Sequence, residues 1–385
     1  MAWIVEKKRS DGGTSYKLSW RDPSGRVKSE TFRKKKLALD RLHSVEEQKN
    51  AGTYRDPALS KVTLRAFWEH FIRTSPPPAP STEALYRMQA RLYILPKLGN
   101  VQLRALTNAR IKTFLADLKD DGVGEPSINS VHRLLRRILS VAVEEGRIPS
   151  NPAARIKVPK GQPKEMRFLD HAQVRALADE VPDRYKCLIY FLAYTGARIG
   201  EAAALRVRNV DLMKRQVLVV EASKEVGGHL SMGPTKTKQN RGLTLPRFLA
   251  EMLAEHLAEF SNPKDPDALV FSGERGAPIR QSVFRQRVFK PAAFRAKLPP
   301  GVRPHDLRHT AVALAIEAGW HAKKIQDMLG HSSIEVTLGT YGHLFETLHE
   351  DAADRLDALY RAANEHEEAE VITLKGANSE PAEVG

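Results

Sequence analysis

The chain has 385 residues, 42% apolar and 28% charged, which is enough for two or three domains and at least one sizeable core. Lysine and arginine outnumber aspartate and glutamate 61 to 46, and the net charge of +15 points to a polyanionic partner, nucleic acid first and an anionic membrane second. The one cysteine, Cys187, excludes an internal disulfide and a cysteine-based metal cluster. No apolar run approaches the ~18 residues of a membrane span, and "MAWIVEKKRSDGG" has no leader-like apolar core, so a reducing cytoplasm is the expected setting.

In chain order, residues 2–32 read as strands. "SYKLSW" alternates, with Tyr16, Leu18 and Trp20 on one face, and "SDGG" and "DPSGR" are turn chemistry. The stretch "KSETFRKKKLALDRLHSVEEQKN" turns helical and completes a three-strand-plus-helix module over 1–57. That module is dense in cations, among them Lys34, Lys35 and Lys36, which suit either a solvated face or a phosphate-contacting one. Residues 61–155 read as all-helical. "KVTLRAFWEHFIRT" is amphipathic, "SPPPAP" interrupts it, Ser81 suits an N-cap for the second helix and Thr107 one for the third. The fourth, "SINSVHRLLRRILSVAVEEG", has an apolar face of Ile128, Val131, Leu135, Ile138 and Leu139, and sets Arg133, Arg136 and Arg137 on the other face, for water or for a DNA backbone.

A Pro- and Lys-rich linker over 156–168 leads to a mainly helical region, 169–350, with a small antiparallel sheet. Asp170 and Gln173 form a capping-box pattern, and a buried-looking helix runs through Tyr194. "RQVLVVEA" is strand-like and "GHLSMGPTKTKQNRGLTLP" reads as strands with a hairpin that has Lys236 at its tip. Helices are expected at 247–260, 280–296, 305–319, 321–329 and about 345–363, with an extended "ALVFSG" among them. Residues 351–385 read as a C-terminal helix, carrying Leu356 and Leu359, and a flexible acidic tail. The fold class expected is therefore multidomain α+β.

The stretch "RPHDLRHT", residues 303–310, gathers two arginines and two histidines where a helix begins. Pro304 and Asp306 suit a helix start, and His305, Arg308 and His309 fall near one face. A helix N-terminus with an arginine beside it can receive a phosphate, although alone it is as readily a surface ion pair. "YTGARIGEAAALR" places Arg198 after a glycine turn with Glu201 three residues on, and "MLGHSSIEVTLGTYGH" places His331 after Gly330 and Tyr341 ten residues later. Each of these, singly, has an ordinary structural reading.

Taken together and in this order, "TGARIGE", Lys236, "HDLRHT" and "LGHSS…TY" resemble the tyrosine recombinase family, that of phage integrases, over residues 165–350. The helical block is similar in position to that family's core-binding domain and the basic 1–57 module to its arm-type DNA-binding domain. One departure is visible. Lys236 best matches the K-T-x-x-S part of the family's spacing, but Asn240 stands where serine is usual, and Lys238 is the alternative lysine. The resemblance implies double-stranded DNA as partner, at core-type and arm-type sites, a homotetramer on DNA, a directionality factor or host DNA-bending protein as accessory, and integration or excision of a phage or mobile element.

No acidic or cysteine cluster suits a catalytic metal, so no metal and no cofactor is expected. His305 and His309 at i and i+4 lack an evident third ligand for zinc. The charge of a DNA phosphodiester must then be met by side chains. Arg198 and Arg308 are expected to hold its non-bridging oxygens, Tyr341 to attack, His305 to accept the phenolic proton, His331 to donate to a phosphate oxygen and Lys236 to protonate the leaving 5′ oxygen. Glu201 is expected to orient its neighbours and His309 to pack behind them. The same chemistry fits a Xer-like dimer resolvase or a type IB topoisomerase, and a decayed site would leave a plain DNA-binding protein.

Overall fold

The computed structural model describes residues 2–22, 25–51, 59–159, 166–235, 240–346, 357, 360 and 361, and the chain divides into two compact units, Met1–Pro163 and Lys164–Gly385.

The first unit opens with an antiparallel sheet of β1 (Ala2–Lys8), β2 (Thr14–Arg21) and β3 (Val27–Phe32), followed by α1 (Lys35–Asn50). Leu18 and Trp20 alternate onto the inner face and meet Val45 of α1, with Ile4, Phe32 and Leu42 packed around them. The helical reading that began at Lys28 is corrected. Residues 28–32 pair with β2, because their burial alternates with period two, and the helix begins only at Lys35. Lys34, Lys35 and Lys36 are exposed at that helix start, where the backbone dipole disfavours cations.

The helical part of this unit comprises α2 (Leu64–Thr74), α3 (Pro80–Gln89), α4 (Leu95–Leu98), α5 (Asn108–Asp120) and α6 (Glu125–Glu144), around a second cluster that includes Phe67, Trp68, Ile111 and Leu135. Thr107 caps α5, its Oγ1 accepting from the Arg110 N–H at 3.2 Å. Ser81 does not cap α3: that helix starts one residue earlier, at Pro80, because proline's fixed φ and missing N–H suit the first helical position. On α6 the expected apolar face is buried, and Arg133, Arg136 and Arg137 stand exposed on the other side.

The second unit contains α7 (His171–Asp179), α8 (Asp183–Thr195), α9 (Ile199–Ala202), β4 (Val210–Asp211), β5 (Gln216–Val219), β6 (Glu221–Val226), β7 (His229–Pro234), β8 (Arg241–Thr244), α10 (Arg247–Phe260), α11 (Gln281–Val283), α12 (Lys290–Arg295), α13 (Asp306–Glu317), α14 (Ala322–Leu329) and α15 (Ile334–Glu346). Asp170 and Gln173 close a capping box at the head of α7, and α8, with Leu188, Ile189 and Leu192, runs through the core beside α13. The strands form two small antiparallel sheets, β4-β5-β8 and β6-β7. This corrects the expected hairpin. Its turn lies at Gly227 and Gly228, both at positive φ, and the strands flanking Lys236 belong to different sheets.

The helix expected at about 345–363 falls largely outside the described residues, and ahead of it stands one that the sequence did not suggest, α15 from Ile334. Its β-branched residues and two glycines have weak helix propensity. Burial of Thr337 and Tyr341, one turn apart, offsets that. Leu356 and Leu359 lie outside the described residues, and 357, 360 and 361 are helical. Among the described residues no helix is long and apolar enough to cross a membrane.

Candidate active site

Three helix ends converge. α8 stops at Gly196 in a left-handed turn (φ 65°), where a Cβ would sit 3.1 Å from Leu329 Cδ2 and 3.4 Å from Ala311 Cβ. Glycine there permits both the backbone turn and the close approach of α13 and α14. α14 stops at Gly330, also left-handed. Both ends present carbonyls at the negative pole of a helix. Arg308, one turn into α13, joins them: Nη1 donates to Gly196 O at 2.6 Å and Nη2 to Leu329 O at 2.7 Å. Arg308 as a whole is only 3% exposed. Burial, and then the charges of Arg198 and Arg241, pull its pKa down to about 9, so it remains a cation at neutral pH.

Arg198 stands at the head of α9. Glu201, three residues on and buried, accepts from the Arg198 backbone N–H at 2.8 Å and from Arg198 Nη1 at 2.8 Å. Its carboxylate also binds Arg241 of β8, at 3.1 Å on Nη1 and through a shorter contact on Nη2. Burial by itself would raise the Glu201 pKa, but hydrogen bonds and charge from Arg241 and Arg198 overcome it and hold the group at about 2. Arg241 Nε donates in turn to Met328 O at 3.0 Å, and a Cβ at Gly330 would meet Arg241 Cδ at 3.0 Å. Two guanidinium groups, those of Arg198 and Arg241, thus share one carboxylate, and Arg308 adds a third positive charge nearby.

Arg241 was not singled out in the sequence. An arginine flanked by Asn240 and Gly242 on a four-residue strand carries no local signal, and its role arises only from the packing of β8 against α14.

His331 follows Gly330, and its Nδ1 lies 3.0 Å from Oγ1 of the buried Thr337. Burial, then Arg308, Arg198 and Arg241, hold its pKa at about 4. His305 stands just before α13 and keeps an exposed edge, yet the protein packed around its ring, with His309 and Arg308, lowers its pKa to about 4. Both are neutral at pH 7.

Tyr341 is 2% exposed, and burial raises its phenolic pKa while Arg308 lowers it. Its hydroxyl meets His309, not His305: Nδ1 of His309 lies 2.8 Å from Oη, and the His305 ring stands edge-on to His309 with centroids 5.1 Å apart. The helical register explains the exchange, because His309 lies one full turn further into α13 than His305, level with the buried face of α15. Lys236 and Lys238 lie outside the described residues. Thr235, which precedes them, is buried, and Asn240, which follows, lines a polar cleft with Arg241, Gly330 and His331.

So Arg198, Glu201, Arg308, His331, His305, His309 and Tyr341 are brought into one cluster within the second unit. Arg133, Arg136, Arg137, Lys34, Lys35 and Lys36 belong to the first.

Residues 167–347 match the model of the phage integrase family. The chain is 30% identical over 260 residues to the integrase of Mycobacterium phage D29, covering 66% of this chain and 68% of that protein. Among solved structures, the Tn1549 transposon integrase in complex with transposon right end DNA aligns with a TM-score of 0.67 at 21% identity, covering 77% of this chain and all of that one. A lambda integrase dimer bound to a COC′ core site aligns at 0.58 and 18%, covering 88% and 94%. At those identities the two structures speak for the fold, which is helical with small antiparallel sheets.

Proposed function

We propose, from the premise that the chain belongs to the phage integrase family, a specific division of labour for its chemistry. The protein is a site-specific DNA recombinase of the tyrosine type, breaking and rejoining DNA for a phage or mobile element. Tyr341 is the nucleophile, forming a 3′-phosphotyrosyl bond and releasing a 5′-hydroxyl. Arg198 and Arg308 hold the non-bridging oxygens, His331 donates to a phosphate oxygen, and Lys236 protonates the leaving oxygen. Because the bond energy is kept in a phosphoester, another strand's 5′-hydroxyl can reverse the step without ATP.

The observation that carries this division is the unbalanced charge of the cluster, two guanidiniums on one carboxylate and a third, that of Arg308, held by backbone carbonyls, with a buried tyrosine alongside. A phosphate completes it.

The 1–57 module is assigned to arm-type sites and 61–155 to core-type sites, with Lys34, Lys35, Lys36, Arg133, Arg136 and Arg137 on phosphates. Their exposure, and the separate apolar clusters beneath the two parts, support that reading. Region 169–350 does the chemistry, joined through 156–168, and a homotetramer on DNA with a directionality or DNA-bending factor is the assembly proposed.

The test is a nicked suicide DNA bearing the element's crossover site. A covalent adduct is expected, stable to detergent and mapping to the peptide that holds Tyr341, together with recombinant product from paired sites. Relaxation of supercoils without recombinants would assign a topoisomerase instead, and absence of any adduct would assign a DNA-binding protein.

A pH dependence follows from the two depressed histidines. In free protein His305 and His331 titrate near 4, below the ordinary 6.5, so the unfolded chain binds more protons between those values. Stability of the DNA-free protein should therefore fall as pH drops from about 6.5 toward 4. A bound phosphate offsets the arginine charges that depress His331, raising its pKa. Calorimetry at pH 6 in buffers of different ionisation enthalpy should show proton uptake on DNA binding, reduced in His331→Asn. Proton-neutral binding would contradict the contact.

A further inference from the structure

Resting on Tyr341 as the nucleophile, the geometry points to His309 as the group that takes the phenolic proton during attack and returns it during resealing. Nδ1 lies 2.8 Å from Oη, within the range of a working hydrogen bond, and the ring centroids are 5.8 Å apart. Tyr341 is 2% exposed, so bulk water is not at hand to take the proton. Among the described residues, His309 is the partner of that hydroxyl.

The surroundings suit a base that becomes briefly charged. His309 is half-buried on α13, next to Arg308 in sequence, which brings the proton acceptor beside the phosphate clamp. The groups that bear on it are Arg308 and Arg303, which oppose protonation, Asp306, which favours it, and the His305 ring. Burial is the largest influence and keeps the imidazole neutral at pH 7, with its Nδ1 lone pair available when the hydrogen is on Nε2. Asp306 is buried and fixed by Arg303, which donates to Oδ1 from Nη2 at 2.9 Å and to Oδ2 from its backbone N–H at 2.8 Å. Once His309 is an imidazolium, that carboxylate offsets its charge.

The step balances. The proton leaves Oη for Nδ1, the Oη lone pair forms the bond to phosphorus, and the bond from phosphorus to the 5′ oxygen breaks with its electrons on that oxygen. A separate donor, Lys236 in the reading above, protonates the leaving group. In resealing, the incoming 5′-hydroxyl gives its proton to that same group, and His309 returns the stored proton to Oη.

The experiment follows single-turnover adduct formation on suicide DNA from pH 6 to 9. His309→Asn keeps a polar atom near Nδ1 but cannot take the proton, and His309→Gln is the second variant, with DNA binding and melting temperature measured for both. Expected is a loss of about 10²- to 10⁴-fold at pH 7, with a residual rate that climbs tenfold per pH unit as the phenol ionises unaided. A fluorinated tyrosine of lower pKa at position 341 should restore much of that loss.

A wild-type rate in either folded variant, or a loss that is equal at every pH and not restored by the fluorinated tyrosine, would overturn the assignment. Should both variants unfold, the fluorinated tyrosine in the otherwise natural protein decides the matter. A base at His309 gives a pH profile that bends below 7 regardless of the phenol, whereas a bend that moves with the phenol pKa removes His309 from the step. An adduct formed by Tyr341→Phe would instead show that the nucleophile is misassigned, whatever His309 does.

Discussion

Tyr341→Phe is expected to eliminate covalent capture of DNA entirely while leaving DNA binding within about twofold. The phenylalanine ring fills the same volume on α15, so packing against the core is retained, and the side chain, 2% exposed, sits where an apolar ring is at home. What is removed is the hydroxyl and its hydrogen bond to His309. That loss is worth about 1 kcal/mol, and relief from burying a polar atom offsets part of it. Stability should thus change little, against a complete loss of chemistry. The contrast separates a nucleophile from a structural tyrosine: equal amounts of DNA bound, by mobility shift, and no adduct on a denaturing gel. Any phenylalanine adduct would move the nucleophile elsewhere.

Glu201→Gln should have the largest effect on the folded state itself. The substitution keeps the volume but removes the negative charge that pairs with both Arg198 and Arg241, with Arg308 close enough to feel both. Breaking a buried pair in this way typically costs about 3–5 kcal/mol, because a charge is left without its partner. The Glu201 side chain is 2% exposed and that of Arg241 9%, so solvent cannot take over. The sign with pH is definite. A carboxyl held at about 2 contributes its stability in full above its ordinary value, near 4.5, and loses it as pH falls toward 2. Denaturant melts at pH 7 should separate variant from wild type, and acid melts should bring them together. Added sulfate or DNA should restore part of the difference, since an anion supplies the missing charge. A variant as stable as wild type at pH 7 would mean that the arginines are neutralised by something other than Glu201.

Much of this architecture is visible in residue order because the forces involved are local. The alternation of Tyr16, Leu18 and Trp20, the 3.6-residue period of Ile128, Val131 and Leu135, and the caps at Thr107 and Asp170 act within a few residues of themselves. The misplacements fall where local and global preferences compete. Residues 28–32 look helical next to a lysine run but are claimed by the ladder of β2. α15 is poor in helix formers and exists because Thr337 and Tyr341 are buried. The strands around Lys236 look like partners, but each pairs with an earlier strand.

The sequence by itself supplied the residue types and their order, and the resemblance that order carries is what pointed to a phosphodiester, since side-chain charge and nucleophilicity belong to residue type. Only the tertiary structure decided which partner each group has. It drew Arg241 to Glu201, anchored Arg308 through two of its N–H groups on the carbonyls of Gly196 and Leu329, and set His309 rather than His305 on the Tyr341 hydroxyl. Such pairings join residues up to 112 positions apart. They depend on how helices end and cross, and on the requirement that every charge taken from water find a counterpart.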